Sequence, residues 1–509
     1  MKAQEAPVVV ICDDVAEALA PGGHLALEQQ LEAKLPGVQV LVVPAVCKRR
    51  KALVEALSGL GPRRVVLGCR AASQARGELL AGLRRAGVAL SGCDIVELRA
   101  ADDCEEHVAF EQSLALLRAS TARVSSSDPK APVSEQTSFS LGGFSRRSLF
   151  RGLELARRPV ARHREGRCAG GVACTACVAS CAHGALLTKA GRIFVDGQAC
   201  TGCGACVVAC RNGSFELPGA DLAGISAAAG VLVDSIRGAG LATGIAITCQ
   251  SSTSGPLLGH ELLGLRVPSL EMVSAGWLLQ LVSAGVGVQL VACGDDNCAS
   301  RAGDLEAFVC ELGKLLGFST GVSLEPGDVP RPRAEPSIEL REPEATTKAL
   351  EHLGALVPEQ TGLRIGGPGC ALGSVHIDET GCSLCGACTI VCPTGALKPS
   401  TNLSGLAVLS FDSGQCSACA ACVAICPENV VTLERSLDTV RVAFGYAMVA
   451  VATDRAGTCE ACGAELGVAL SSQVLRRSSG SHSRLARQVE RICPDCRLSG
   501  RSAMSSRGS

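Results

Sequence analysis

The sequence predicts a multidomain chain in which α/β domains with parallel sheets alternate with small α+β modules rich in cysteine. Two observations predict this fold class. Apolar strand patterns alternate with helical patterns in two separate stretches, and a tight group of eight cysteines follows each stretch. The chain has 509 residues, which is enough for three or four domains.

The first α/β domain is predicted over residues 1–120. The apolar runs "PVVVIC", "VQVLVVPAVC" and "RRVVLGC" each precede a stretch with helical spacing, such as "HLALEQQLEAKL". This alternation predicts a flavodoxin-like or Rossmann-like parallel sheet with crossover helices. A Ser-rich linker (121–160) and a cysteine module (161–218) follow. Residues 219–325 return to the alternation and predict a second such domain, which a Pro- and Glu-rich linker (326–372) ends.

The amino-acid composition argues against three classes of protein. The formal net charge is −1, and the chain has one Trp, one Tyr and ten Phe, which does not favour nucleic-acid binding. The best apolar run, 224–248, is interrupted by Asp234 and Arg237, so no membrane span is expected. Thirty cysteines without a recognisable export signal favour metal ligation in a reducing cytoplasm over a disulfide scaffold.

The clearest motif lies in the module predicted over residues 373–437. Two runs have the spacing C-x2-C-x2-C-x3-C followed by proline. This is the bacterial ferredoxin pattern for two [4Fe–4S] clusters, in which the fourth cysteine of each run ligates the other cluster. The crossing rule predicts one cluster on Cys382, Cys385, Cys388 and Cys426, and another on Cys416, Cys419, Cys422 and Cys392.

The module over residues 161–218 has a looser form of the same motif. Its first run is spaced C-x5-C-x2-C-x3-C, its second keeps the strict spacing, and neither ends in Cys-Pro. A zinc site or an empty module is the alternative, but such spacing rarely arises otherwise. The crossing rule predicts one cluster on Cys168, Cys174, Cys177 and Cys210, and another on Cys200, Cys203, Cys206 and Cys181.

Further cysteines follow the apolar runs of the first α/β domain. Carboxyl ends of parallel strands share one edge, where ligands bind, although free cysteines are also common as small buried hydrophobes. The stretch "RRVVLGCRAASQARGELLAGLRRAGVALSGCDIVELRAADDC" (63–104) resembles the N-terminal domain of heterodisulfide reductase A. The resemblance implies a fifth [4Fe–4S] cluster on dispersed cysteines, here Cys12, Cys47, Cys69 and Cys104, with Cys93 as a spare.

The second α/β domain carries a different resemblance. The stretch "LRVPSLEMVSAGWLLQLVSAGVGVQLVACGDDNC" is similar to the delta subunit of methyl-viologen-reducing hydrogenase, an iron–sulfur adapter. The resemblance implies a [2Fe–2S] cluster on Cys249, Cys293 and Cys298. Ser269 stands where the family places another cysteine, so either Ser269 or Cys310 substitutes or the cluster has been lost.

The last module, predicted over residues 438–500, contains two C-x2-C pairs with 30 residues between them. Two such knuckles closing a tetrahedral S4 site are typical of a zinc ribbon. A further Fe–S cluster is the alternative, but no third closely spaced cysteine is present. The sequence predicts zinc on Cys459, Cys462, Cys493 and Cys496, and a disordered tail over residues 501–509.

Together these motifs predict an iron–sulfur electron-transfer subunit of a cytoplasmic multi-subunit oxidoreductase. The sequence has no Walker loop, H-E-x-x-H motif or nucleotide fingerprint, so no catalytic site of its own is evident. The resemblances imply redox partners: a hydrogenase, formate dehydrogenase or other dehydrogenase on one side, and a flavin or heterodisulfide-type reductase on the other. The alternatives are a flavin-containing reductase with a cryptic site and an Fe–S redox sensor.

Overall fold

The structure of the chain is a computed structural model. The predicted ligand Cys104, most of both predicted linkers and the predicted tail lie outside the residues that it describes. It describes residues 6–19, 24–58, 64–72, 74–89, 92–99, 105–127, 135–137, 157–168, 170, 174–210, 212–217, 219–250, 261–293, 295–316, 322–323, 349, 364–367, 370, 372–401, 406–438, 448–455, 459, 461–464, 493, 495–496 and 499.

The first domain is a four-stranded parallel sheet with helices on both faces. The strands lie in the order β2-β1-β3-β4. Alternate residues of β1 point to opposite faces: Val10 packs in the core that Leu79 shares, and Ile11 packs in the core that Leu117 shares. The elements are β1 (Val8–Cys12), α1 (Asp13–Leu19), α2 (His24–Lys34), β2 (Gln39–Val43), α3 (Arg50–Leu57), β3 (Val65–Cys69), α4 (Arg76–Arg85), β4 (Cys93–Glu97) and α5 (Glu106–Ser126).

Helix α5 continues past residue 120, where the sequence predicts the linker to begin. Val124 is buried, and the Arg123 guanidinium donates hydrogen bonds to the carbonyl oxygens of Arg266 and Gly219, each at 2.8 Å. Both carbonyl groups belong to residues of the second α/β domain, which the sequence predicts over residues 219–325. The end of α5 is therefore helical because it packs between two domains, which its Ser-rich composition does not reveal.

The first cysteine module is built from short hairpins. Strand β8 pairs with β9, β7 with β10, and β5 with β6, all antiparallel. Each of its two helices carries the third cysteine of a run, and the fourth cysteine follows the helix. The elements are β5 (Glu135–Thr137), β6 (Arg157–Pro159), β7 (Arg162–His163), α6 (Ala176–Ala179), β8 (Leu186–Lys189), β9 (Arg192–Val195), α7 (Ala205–Ala209) and β10 (Phe215–Glu216).

The second α/β domain repeats the topology of the first. Its parallel strands lie in the order β12-β11-β13-β14, so in both sheets the second strand is followed by the first, third and fourth. This is the beginning of the flavodoxin-like order. The elements are α8 (Leu222–Ala239), β11 (Gly244–Cys249), β12 (Leu262–Val267), a 3-10 turn (Leu270–Met272), α9 (Ala275–Ser283), β13 (Gly287–Val291), α10 (Asp296–Leu316) and β14 (Val322–Ser323).

Helix α8 is bounded by two local signals. The Asp221 carboxylate accepts a hydrogen bond from the Ala223 N–H, and Gly240 ends the helix in a left-handed conformation. Of the described helices, α8 alone is long and apolar enough to cross a membrane by length and composition. Its buried face, which includes Ile225 and Leu232, belongs to the core that it shares with α5.

The second cysteine module resembles the first in its pairing. Strand β16 pairs with β19, β15 pairs with β20, and the β17–β18 hairpin is extended by β21, all antiparallel. Its two short helices again carry the third cysteine of each run. The elements are β15 (Arg364–Gly366), β16 (Ser374–Ile377), α11 (Ala387–Val391), β17 (Leu397–Thr401), β18 (Leu406–Asp412), α12 (Ala421–Ile425), β19 (Val431–Glu434), β20 (Ser436–Asp438) and β21 (Met448–Arg455).

Candidate metal centres

The three strictly spaced cysteine runs share one loop conformation. In each run, the residues two and four places after the first cysteine have positive φ. Alternating left-handed residues turn successive backbone N–H groups toward the concave side of the loop, which can then bind anions. Three of these residues are not glycine, and each accepts a conformation that costs about 1–2 kcal/mol. The φ values are 75° at Gly202, 87° at Gly204, 50° at Leu384, 76° at Gly386, 51° at Ala418 and 59° at Ala420.

In the second module the cysteines gather as two sets of four. Cys382, Cys385, Cys388 and Cys426 line one small cavity, and Cys392, Cys416, Cys419 and Cys422 line another. The Leu384 N–H donates to the Cys382 Sγ at 3.4 Å. Each cavity combines four thiols from two runs with an apolar wall, which is the donor set that a [4Fe–4S] cube requires.

The thiols of this module are buried. Burial, and then repulsion from Cys385 and Cys382, raise the pKa of Cys388 to about 12. Burial also raises the pKa of Cys416 to about 12. Thiolates in such surroundings need a bound cation to compensate their charge, and iron supplies it. The residues present therefore fit two [4Fe–4S] clusters.

In the first module the electrostatic neighbours fall into two sets. Burial, and then repulsion from Cys174, Cys210 and Cys168, raise the pKa of Cys177 to about 12. Burial likewise raises the pKa of Cys206, to which Cys203, Cys200, Cys177 and Cys181 add repulsion. Cys177 and Cys206 come from different predicted clusters and repel each other as neighbours. All the other repulsions on these two thiols join cysteines of one set predicted by the crossing rule.

Backbone N–H groups also reach the sulfurs of the first module. The Gly170 N–H donates to the Cys168 Sγ at 3.3 Å, and the Ser214 N–H donates to the Cys210 Sγ at 3.2 Å. Gly170 has φ of 90° and stands two places after the first cysteine, as in the strict runs. The looser run therefore keeps the beginning of the same loop conformation, and the donor set fits a cluster.

In the first α/β domain, Cys12 and Cys69 end adjacent strands β1 and β3, and Cys47 lies in the turn after β2. The Asp13 carboxylate accepts a hydrogen bond from the Ala45 N–H at 2.7 Å and so holds that turn against β1. The ligand atoms of Cys12, Cys47 and Cys69 lie within 4.8 Å of one another and of an Asp14 carboxylate oxygen. Sequence reasoning missed Asp14, although the two acidic residues that follow the buried strand β1, Asp13 and Asp14, were a readable signal.

The distances between the sulfur atoms of this site decide which metal centre it fits. Cys12 Sγ and Cys47 Sγ are 3.9 Å apart, which is close to the edge of about 3.8 Å that Zn–S bonds of about 2.3 Å give in a tetrahedron. A [4Fe–4S] cube offers each thiolate a different iron and requires wider spacing. The placement therefore fits ligands of one metal ion, and the cube implied by the resemblance also needs Cys104, which lies outside the described residues. Cys93 begins β4 at the opposite edge of the sheet.

The second α/β domain brings three cysteines together in the equivalent place. Cys249 ends β11, Cys293 follows β13, and Cys298 lies in the first turn of α10, with their sulfurs within 4.8 Å of one another. A side-chain hydrogen bond between Cys249 and Cys298 lowers the pKa of Cys298 to about 5. Three thiols at this spacing fit part of a metal centre.

Neither of the suggested fourth ligands belongs to this group. Ser269 caps the 3-10 turn, where its Oγ accepts a hydrogen bond from the Glu271 N–H at 3.2 Å. It is nonetheless next to Pro268, whose carbonyl oxygen accepts a hydrogen bond from the Cys249 Sγ at 3.2 Å. Cys310 lies farther along α10 and is not one of the grouped cysteines.

Sequence reasoning also missed a contact between the first module and this domain. The His183 Nε2 lies 2.9 Å from a Glu271 carboxylate oxygen, and the same group includes Cys203. Burial, and then repulsion from the Glu271 carboxylate, raise the pKa of Cys203 to about 12. His183 follows Cys181 by two residues, so the signal was present, but Glu271 is distant in sequence.

The C-terminal cysteines form a compact S4 group. The sulfurs of Cys459, Cys462, Cys493 and Cys496 all lie within 4.8 Å of one another. Cys462 Sγ and Cys493 Sγ are 3.6 Å apart, close to the edge of a zinc tetrahedron. A hydrogen bond from the Cys493 N–H lowers the pKa of Cys459 to about 6. Four thiols at tetrahedral spacing fit a zinc ion.

Comparison with known proteins assigns one part of the chain. Residues 374–427 match the protein family described as 4Fe-4S dicluster domain, and this range contains all eight cysteines of the second module. A search of the curated proteins finds no match to this chain. The second module is therefore a ferredoxin-type domain that binds [4Fe–4S] clusters.

Proposed function

We propose that the chain is an iron–sulfur electron-transfer subunit of a multi-subunit oxidoreductase. The single observation that carries the proposal is a contact between the two modules. The Thr175 hydroxyl donates a hydrogen bond to the Cys419 carbonyl oxygen at 3.2 Å. Because Thr175 follows Cys174, this contact joins a cluster loop of one module directly to a cluster loop of the other.

The contact also has an electrostatic counterpart. Burial raises the pKa of Cys174 to about 11, and repulsion from Cys419 is among the further causes. A charge change at one centre is therefore felt at the other. Centres in such contact exchange electrons without large rearrangement, which supports a relay through both modules.

The relay extends from the first module toward the second α/β domain. Glu271 contacts His183 of the module and accepts a hydrogen bond from the Ser269 hydroxyl at 3.4 Å. The Leu270 backbone, in the same 3-10 turn, contributes to lowering the pKa of Cys298. One short turn thus lies between the second cluster set of the first module and the three-cysteine group, which would join the relay once a fourth ligand completes it.

The remaining sites complete the proposed cofactor content. The two modules hold four [4Fe–4S] clusters, the first α/β domain holds a metal centre on Cys12, Cys47 and Cys69, and the C-terminal S4 group holds zinc. By resemblance to the heterodisulfide reductase and hydrogenase proteins, the α/β domains dock the partners. One partner would be a hydrogenase, formate dehydrogenase or other dehydrogenase, and the other a heterodisulfide-type or flavin reductase. A cytoplasmic setting is part of the proposal.

Anaerobic purification of the native complex tests this function. We expect redox subunits to co-purify, and the visible absorbance of the clusters to bleach when the partner's substrate, hydrogen or formate, is added. The control is the isolated chain, which should bleach with dithionite but not with either substrate. Recovery of the chain without any redox subunit would overturn the proposal.

A further inference from the structure

A cavity of about 520 Å³ lies between the two α/β domains. Strand β4 and helix α5 line it from the first domain, and β11, β12 and α8 line it from the second. Small-molecule sites typically have volumes of about 300–1,000 Å³ and occur at domain interfaces. The cavity is thus large enough for a ligand, and no described cysteine of the thiol groups lines it.

The cavity is lined by more cationic than anionic groups. Four arginines face three carboxylates, and each guanidinium has five N–H donors in a planar fork that suits phosphate. The two sets are Arg70, Arg99, Arg123 and Arg266, and Asp14, Asp94 and Glu97.

Several of these arginines are held in place by the backbone. Arg99 donates to the Leu262 carbonyl oxygen at 3.1 Å, and Arg123 donates to the carbonyl oxygens of Arg266 and Gly219. Burial lowers the pKa of Arg266, which lies 3.7 Å from a Glu97 carboxylate oxygen, and Arg123 lies 3.9 Å from an Asp94 carboxylate oxygen. The lining still carries one more positive than negative charge, which a bound anion would neutralise, and preorganised donors would bind it with little loss of conformational entropy.

The rest of the wall is apolar. Leu98 and Leu116 come from the first domain, and Ala228, Leu232 and Leu265 from the second. A ligand that matches both parts of the wall has an anionic group for the arginines and a flat apolar body for the aliphatic side chains. We propose that the cavity binds a nucleotide, meaning a phosphate ester that carries a heteroaromatic ring.

The position of the cavity relates it to two thiol sites. Asp14 and Arg70 lie beside the first site, since Arg70 follows Cys69, and Thr248 precedes Cys249 of the second. A nucleotide bound here would lie between the two sites. A flavin nucleotide and an adenine nucleotide share the required chemistry, and they differ in whether the ring accepts electrons.

Binding to the full-length, anaerobically prepared protein tests the proposal. Isothermal titration would use FMN, ADP and inorganic phosphate as separate probes. We expect saturable binding of FMN or ADP and at least tenfold weaker binding of phosphate, because phosphate lacks the ring. Tighter binding of FMN would identify a redox ligand, and tighter binding of ADP a non-redox ligand.

Two variants probe the two parts of the wall. Arg70→Gln removes a charge, and Ala228→Phe fills apolar space without changing any charge, so each should weaken nucleotide binding at least tenfold. Arg118→Gln, on the exposed surface of α5, is the matched control and should bind as the wild type does. Circular dichroism and iron content confirm folding.

Absence of binding by both nucleotides at millimolar concentration would overturn the proposal, as would unchanged binding by two folded variants. The proposal is independent of the electron-transfer function, because loss of nucleotide binding would leave the clusters of both modules and their reduction intact.

Discussion

Cys12 and Cys249 occupy equivalent positions, each ending the first strand of a parallel sheet with the same strand order. In both sheets that strand lies beside the third strand, and a second cysteine, Cys69 or Cys293, stands at or just after the end of the third strand. Ligands of open α/β sheets bind at this point, where the strand order reverses. The topology thus places a thiol group at the same edge of both domains.

The ferredoxin-type module predicts which serine substitutions remove the same cluster. Cys382→Ser and Cys426→Ser should each lose about four irons from one cluster, because their thiols line one cavity although they lie 44 positions apart in the sequence. Both variants should alter the same EPR signal of the reduced protein. The matched control is Cys370→Ser, a buried cysteine outside both cavities, which should keep full iron content. Loss of different signals in the two ligand variants would contradict the crossing.

The three-thiol group of the second α/β domain should accept a fourth thiolate at position 269. Ser269→Cys would place a thiol next to Pro268, whose carbonyl contacts Cys249, so we expect about two more irons per chain. EPR and iron analysis after anaerobic reconstitution would measure the gain. Cys310→Ala is the control, and should change nothing because Cys310 lies outside the group. An unchanged iron content in Ser269→Cys would show that the group does not hold a cluster there.

The contact between α5 and α8 depends on one glycine. A Cβ on Gly224 would lie 2.7 Å from the Arg123 carbonyl oxygen and 2.7 Å from the Ser127 Oγ. Gly224→Ala should therefore lower the free energy of unfolding by about 1–3 kcal/mol, as overpacking does. Gly230→Ala in the same helix has open space at its Cβ and should instead stabilise by up to about 1 kcal/mol. Chemical denaturation of both variants checks this, and equal effects would refute the close approach.

Cys93 should make stability depend on alkaline pH. Burial, and then repulsion from Asp94, raise its pKa from 9.0 to about 12. Between these values the unfolded thiol loses its proton and the folded thiol keeps it, so stability falls as pH rises, by up to about 1.4 kcal/mol per unit. Below pH 9 the effect is absent. The difference in unfolding free energy between wild type and Cys93→Ala isolates this contribution, and a difference that does not change between pH 9 and 12 would contradict it.

The sequence predicted the parallel α/β sheets and the ferredoxin-type module of residues 374–427 because strand alternation and cysteine spacing are local. It could not predict the end of α5, since Arg123 and Val124 are helical through contacts with a distant domain. The sequence also could not predict that the two sheets share one strand order, because strand pairing joins residues that are distant in the sequence. Asp14 and the His183–Glu271 contact were missed for related reasons: they become recognisable as site residues only when separate segments are brought together.

Iron and acid-labile sulfide analysis of the anaerobically purified chain tests the central claim most directly. Four cubic clusters in the two modules predict about sixteen irons and about sixteen sulfides per chain. Zinc is expected only at the C-terminal S4 group and, if the Cys12, Cys47 and Cys69 group holds a single ion, in the first α/β domain. A colourless protein whose cysteines bind zinc but little iron would contradict the account.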